Sequence, residues 1–92
     1  MTATEGLDLA ERVQELEREN AQLRQALESR IVIEQAKGVL AERYATAVDV
    51  AFELLRRAAR SSQLRLHDLA ADVVAANETP VAIQRERERL GR

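Results

Sequence analysis

The sequence predicts an all-α fold, a long N-terminal coiled-coil helix running into a three-helix bundle. Three observations carry that prediction. Apolar residues recur as heptads near the N-terminus and at helical spacing in the stretches that follow. Ala, Leu, Glu and Arg dominate the composition, which favours helix. Helix breakers are few: Pro80 is the only proline, and between Gly6 and Tyr44 only Gly38 interrupts.

The first element is an arm in which Leu9, Val13, Leu16, Asn20, Leu23 and Leu27 alternate at spacings of four and three. Val13, Asn20 and Leu27 take the a positions, and Leu9, Leu16 and Leu23 the d positions. A single Asn at a costs stability but pairs with its mate across a parallel dimer and fixes register. Flanking charges agree: Arg12 at g faces Glu17 at e of a partner, and Glu19 faces Arg24. The competing reading is an amphipathic helix packed on its own domain. The heptad ends at Arg30 and Glu34, beyond which apolar residues spread around the helix at Ile31, Val32, Ile33, Ala36, Val39 and Leu40. One continuous helix to about Tyr44 is expected, its first part pairing with a second chain and its second part joining a bundle.

Tyr44 to Val48 reads as a turn, with Thr46 as a cap and Asp49 three residues on as a weak capping box. A second helix is expected over about 47–61, with Val48, Ala51, Phe52, Leu55 and Ala59 inward. Its acids come early and Arg56, Arg57 and Arg60 come late, as the helix dipole favours. A third helix is expected over about 66–77, with Leu66, Leu69, Ala70, Val73 and Val74 inward. The stretch from Val81 is mostly charged and reads as a frayed end or a short helix, dispensable for folding. The expected division is therefore 1–30 as a dimerising coil, 31–77 as the bundle and 78–92 as a charged tail.

Composition bounds the function. At 92 residues the chain holds one small domain with an extension, too little core to be strongly stable without self-association. No run of apolar residues is long enough to cross a membrane, and no secretory leader is visible. Absence of cysteine excludes disulfides and thiolate metal sites and makes an intracellular, cytoplasmic location the default. The net charge is −2, and its distribution matters more: −3 in residues 1–30, 0 in 31–77 and +1 in 78–92. A nucleic-acid surface would have to be a local basic cluster in the middle segment.

For catalysis the sequence offers little. His67 is the only histidine, its neighbour Asp68 points elsewhere on a helix, and no nucleophile elbow is present. No calcium loop, phosphate-cradling glycine loop or zinc spacing appears, so no metal, no cofactor and no enzymatic activity are expected. For nucleic acid, Lys37, Arg56, Arg57, Arg60 and Arg65 converge if the first two bundle helices pack antiparallel. Arginine forks suit phosphates and the edges or faces of unpaired bases. The plain alternative is solvated helix faces. Phe52 and Tyr44, the only aromatics, read as core or turn packing rather than a stacking platform.

Gly38 stands out because a glycine inside a helix costs about 1 kcal/mol relative to alanine. Two explanations compete: a ligand approaching the bare backbone beside Lys37, or a second helix crossing close by.

At these residues the chain resembles a known family. "SRIVIEQAKGVLAERY" followed by "AFELLRRAARSSQLRLHDLAADVV" is similar to the ANTAR domain of bacterial transcription antiterminators, over about Ser29 to Ala76. The resemblance implies a three-helix RNA-binding bundle, often preceded by a coiled coil. It implies binding to tandem stem-loops with hexaloops (a dual hexaloop stem-loop), which prevents a terminator from forming. It maps a shared surface of small residues and a cation onto Ala36, Lys37, Gly38, Arg56 and Ala59. Family turns commonly carry Gly where this chain has Ala45, and a left-handed Ala45 would cost about 1 kcal/mol. Regulators of this type often carry a receiver domain as well; the expected organisation here is coil plus ANTAR without one. The alternative function is a coiled-coil protein-interaction module docking a signalling partner without RNA. A DNA-binding helix-turn-helix is weaker, because the third helix carries Asp68 and Asp72 and lacks base-reading side chains.

Overall fold

The computed structural model describes the backbone of residues 3–91 and the side chains of residues 6 and 8–91. The outermost residues of two expected segments, 1–2 and 92, lie outside the described residues. Four helices follow one another: α1 (Ala3–Arg43), α2 (Val48–Ser61), α3 (Leu66–Ala75) and α4 (Val81–Arg89). The described residues contain no strand. The fold is all-α, as the periodicity predicts.

α1 passes through Gly38 without a break. At about 1.5 Å per residue its 41 residues span roughly 60 Å, which accounts for most of the molecule's 68 × 22 × 22 Å extent. Residues 8–28 are exposed on every side. From Ser29 the same helix enters the bundle, where Ala36 and Leu40 are fully buried and Val32, Ile33, Val39 and Ala41 pack partly against them. α1 lies against both α2 and α3, and α2 also touches α3 and α4. The core is alanine-rich: Ala36, Ala51, Ala58, Ala59 and Ala70 let the helices close together around Leu40, Leu55, Leu69, Val73 and Ile83. Four of the five apolar residues expected inward on α3 fit this picture; Val74 is exposed.

The two bundle turns are built alike. After α1, Thr46 N–H donates to Ala41 O at 3.0 Å and Ala45 N–H to Glu42 O at 3.3 Å. After α2, Leu64 N–H donates to Ala59 O at 2.9 Å and Gln63 N–H to Arg60 O at 3.3 Å. These paired bonds close the last helical carbonyls and force a left-handed residue between them. That residue is Ala45, φ 50, in the first turn and Gln63, φ 57, in the second. Neither is glycine.

Three expectations change. Thr46 does not cap α2: the extended residue before the helix is Ala47, which has no side-chain cap bond, and the Thr46 N–H closes α1 rather than meeting Asp49. α3 ends at Ala75 rather than Asn77, because Ala76 turns extended, at ψ 144. Arg43, in the last turn of α1, reaches that end. It donates to Ala76 O at 3.1 Å, Asn77 O at 3.4 Å and Thr79 Oγ1 at 3.2 Å, satisfying carbonyls the helix leaves open. Finally, the stretch expected as a frayed end or a short helix, dispensable for folding, is helix α4 and packs against α2. Ile83 is fully buried there. Glu86, 4% exposed, accepts from Ser61 Oγ at 2.9 Å and from Arg89 at 3.0 Å. On α2 this adds Leu54 and Ala58 to the buried face, while Val48, expected inward, is half exposed.

Candidate nucleic-acid interface

Lys37 leaves α1 on the side facing α2. Its Nζ sits 4.9 Å from the centroid of the Phe52 ring and 3.1 Å from Glu34 Oε1. The ammonium thus lies over the ring's negative face, with a carboxylate holding it there. Packing on both leaves the side chain only 18% exposed. Phe52, read in the sequence as core, is half-buried and serves as the floor beneath this cation.

One turn along α2 from Phe52 comes Arg56. It forks onto Glu53, Nε to Oε2 at 3.1 Å and a terminal nitrogen to Oε1 at 2.8 Å. Arg57 Nε reaches the same Oε1 at 2.9 Å. The Arg56 hydrogen bonds, then that of Arg57, hold the Glu53 carboxyl down at about 2, and the same bonds push Arg56 up. Glu53 is therefore ionised through the neutral range, and the three side chains carry a net single positive charge, with the Arg56 guanidinium held by its fork. Arg60 and Arg65 are exposed and make no ion pair among the described residues. Arg60 continues the Arg56 row on α2, and Arg65 is the N-cap residue of α3.

Of three small residues expected on this surface, two fall in the core and one is exposed. Ala36 and Ala59 are 0% and 4% exposed, so they belong to the core and form no floor for a ligand; their small size is used by helix packing. Gly38 is exposed on the outer face of α1, and a Cβ built there meets nothing within 4 Å. Among the described residues no helix crosses at Gly38, so a crossing within the chain does not explain the residue. What remains is a stretch of bare backbone open to solvent beside the Lys37–Phe52 pair.

The sequence missed two partners of this surface. Glu53 was legible in principle, because Arg56 and Arg57 stand at i+3 and i+4 from it. The stack of Arg87 on Tyr44, guanidinium carbon 3.7 Å from the ring centroid, joins residues too far apart in the chain for any spacing rule. His67 carries no hydrogen-bonded carboxylate or nucleophile, and its Nδ1 is buried without a partner. Among the described residues no group of three or more His, Cys, Asp or Glu is placed to hold a metal ion, and no helix is long and apolar enough to cross a membrane. The arrangement suits electrostatic and stacking recognition of a polyanion.

On the exposed part of α1, Leu9, Val13, Leu16, Leu23 and Leu27 are between 50% and 69% exposed along a single stripe. Asn20 lies in the same stripe, with its Nδ2 donating back to Leu16 O at 3.0 Å. Ile31, 49% exposed, extends the stripe to the edge of the bundle.

The ANTAR domain matches residues 21–74, more than half of the chain, beginning within the stripe on α1 and ending in α3. No curated protein and no solved structure matches the chain.

Proposed function

The chain belongs to the ANTAR domain family of RNA-binding antitermination regulators, and from that premise we propose that it recognises tandem hexaloop stem-loops in nascent mRNA and prevents a terminator from forming. The observation that carries this reading is the family match over 21–74, which contains Lys37, Gly38, Phe52, Arg56, Arg57, Arg60 and Arg65. Lys37 supplies a cation whose position is set by Phe52 and Glu34. Arg56 and Arg57 present planar donors already oriented by Glu53, and Arg60 and Arg65 offer further charge for phosphates. The open backbone at Gly38 leaves room for a loop nucleotide beside Lys37.

The same reading makes the protein a homodimer. A tandem target calls for two bundles, and a parallel coil through Leu9 to Leu27 would carry them side by side. The half-exposed leucines supply apolar surface for it, each worth about 1.5–3 kcal/mol when fully buried. Residues 1–30 then dimerise and 31–77 contact RNA, in a bacterial cytoplasmic setting.

A second reading, a coiled-coil interaction module for a signalling protein without RNA, is favoured by one observation. Glu53 neutralises half of the Arg56–Arg57 charge, so the surface is only modestly basic. Binding of the full chain to a dual hexaloop stem-loop, against the same RNA with its loops replaced, separates the two. Loop-dependent binding supports the first reading, and equal or absent binding supports the second.

A further inference from the structure

We propose that the groove between the α1–α2 turn and α4 is a second nucleotide pocket, one that holds an unpaired base carrying an exocyclic amine. This rests on the RNA-binding reading above and extends it to a helix, α4, that lies outside the family match.

The groove has a volume of about 540 Å³ and is lined by Tyr44, Asp49, Glu53, Arg57 and Arg87 among others. That is within the range that encloses a small ligand. One wall is the stack of Arg87 on Tyr44, 3.7 Å from guanidinium carbon to ring centroid. A guanidinium set this close over an aromatic ring offers a cationic surface of the kind on which unpaired RNA bases stack. The groove thus supplies a platform that the sequence, with two scattered aromatics, does not display.

The polar groups are not equivalent. Both Glu53 oxygens already accept from Arg56 and Arg57. Asp49 Oδ1 accepts the Val50 N–H at 3.0 Å, which leaves Asp49 Oδ2 as an open acceptor. An acceptor-only carboxylate beside a stacking plane favours an exocyclic amine, which adenine, guanine and cytosine carry and uracil lacks; uracil's one donor, its imino N–H, is flanked by two carbonyl oxygens that a carboxylate repels. Arg57 stands at the groove to meet the phosphate. Because Glu53 is shared by Arg57 in the groove and Arg56 on the Lys37 face, the pocket is continuous with the surface proposed above, and one RNA strand can run across both.

The test is binding of the full chain to the dual hexaloop stem-loop, with single loop positions changed to uridine. The variants are Arg87→Ala, Arg87→Lys, Asp49→Ala and, as reference, Lys37→Ala. Arg87→Ala and Arg87→Lys are both expected to weaken binding about tenfold, since lysine keeps the charge and loses the plane. At one loop position, uridine is expected to weaken wild type severalfold and to change nothing further in Asp49→Ala. Melting curves of the free variants guard against loss of fold; if Arg87→Ala unfolds, Arg87→Lys decides alone. If wild type binds and Lys37→Ala weakens it while a folded Arg87 variant binds like wild type, the pocket is overturned and the RNA reading stands. If wild type shows no loop-dependent binding, both fall.

Discussion

At the scale of single residues the molecule holds non-glycine residues where glycine is easiest and a glycine where alanine is easiest. Ala45 and Gln63 sit at φ 50 and 57, a region that costs a side chain about 1 kcal/mol. Ala45→Gly and Gln63→Gly are each expected to raise stability by up to about 1 kcal/mol, less what glycine adds to unfolded-chain entropy. Denaturant melts check this. Gly38 is the reverse case: with nothing within 4 Å of a built Cβ, Gly38→Ala is expected to raise stability by about 1 kcal/mol. Under the RNA reading the same change weakens hexaloop binding, so stability and affinity move in opposite directions. The sequence shows that Gly38 is anomalous but cannot choose between a ligand and a crossing helix, because the choice depends on where α2 and α3 lie. Glu53 offers a pH test. Its folded value near 2 lies below the ordinary 4.5, so its contribution is complete above about 4.5 and is lost as pH falls toward 2. Glu53→Gln is therefore expected to be less stable than wild type at neutral pH, with the gap closing in that acid window. It also frees Arg56 and Arg57, which is expected to tighten RNA binding and steepen its salt dependence.

At the scale of elements, α4 and the exposed part of α1 carry opposite lessons. α4 was illegible as a core element for a specific reason. Its inward positions are Ile83 and Glu86, and a glutamate at the second breaks the apolar period. Ser61 and Arg89 bond that carboxylate, so the position is satisfied by polar contacts that no hydropathy pattern displays. The charged end beyond Pro80 is accordingly part of the fold. Ile83→Ala is expected to cost about 2–4 kcal/mol, and removal of residues 81–92 to lower the melting temperature markedly; a truncated chain melting like wild type would show that α4 contributes nothing. Arg43 acts across elements as well, tying α1 to the end of α3. Arg43→Ala is expected to destabilise by about 1 kcal/mol. The exposed part of α1, by contrast, is legible as a heptad, but no other described element packs on it. A helical stretch with no tertiary support is marginal alone. Leu16→Lys with Leu23→Lys is expected to give a monomer in sedimentation and to reduce helicity, whereas a wild type that sediments as a monomer at roughly 10–50 µM would contradict the parallel coil.

At the scale of the whole molecule, a long helix joins an apolar stripe to a compact bundle, so the stripe and the basic face are mechanically one unit. The sequence conveys that architecture well, since heptads and amphipathic stripes are local patterns. It conveys the interface less well. Lys37 and Arg56 were legible as candidates, but Ala36 and Ala59 had the composition of a small-residue surface and proved to be core. Phe52, Tyr44 and Arg87 acquired their roles only through contacts between segments far apart in the chain, whereas Glu53 acquired its role from Arg56 and Arg57 on its own helix. The claim that unites these levels is that the Lys37 face binds RNA loops electrostatically. It is tested most directly by the affinity of wild type and Lys37→Ala for a dual hexaloop stem-loop across a series of salt concentrations. The expected result is tight, loop-dependent wild-type binding whose logarithm falls linearly with log salt, and weaker Lys37→Ala binding with a slope shallower by about 0.7–0.9. A folded Lys37→Ala protein with the wild-type affinity and slope, or a wild type indifferent to the loops, would contradict it.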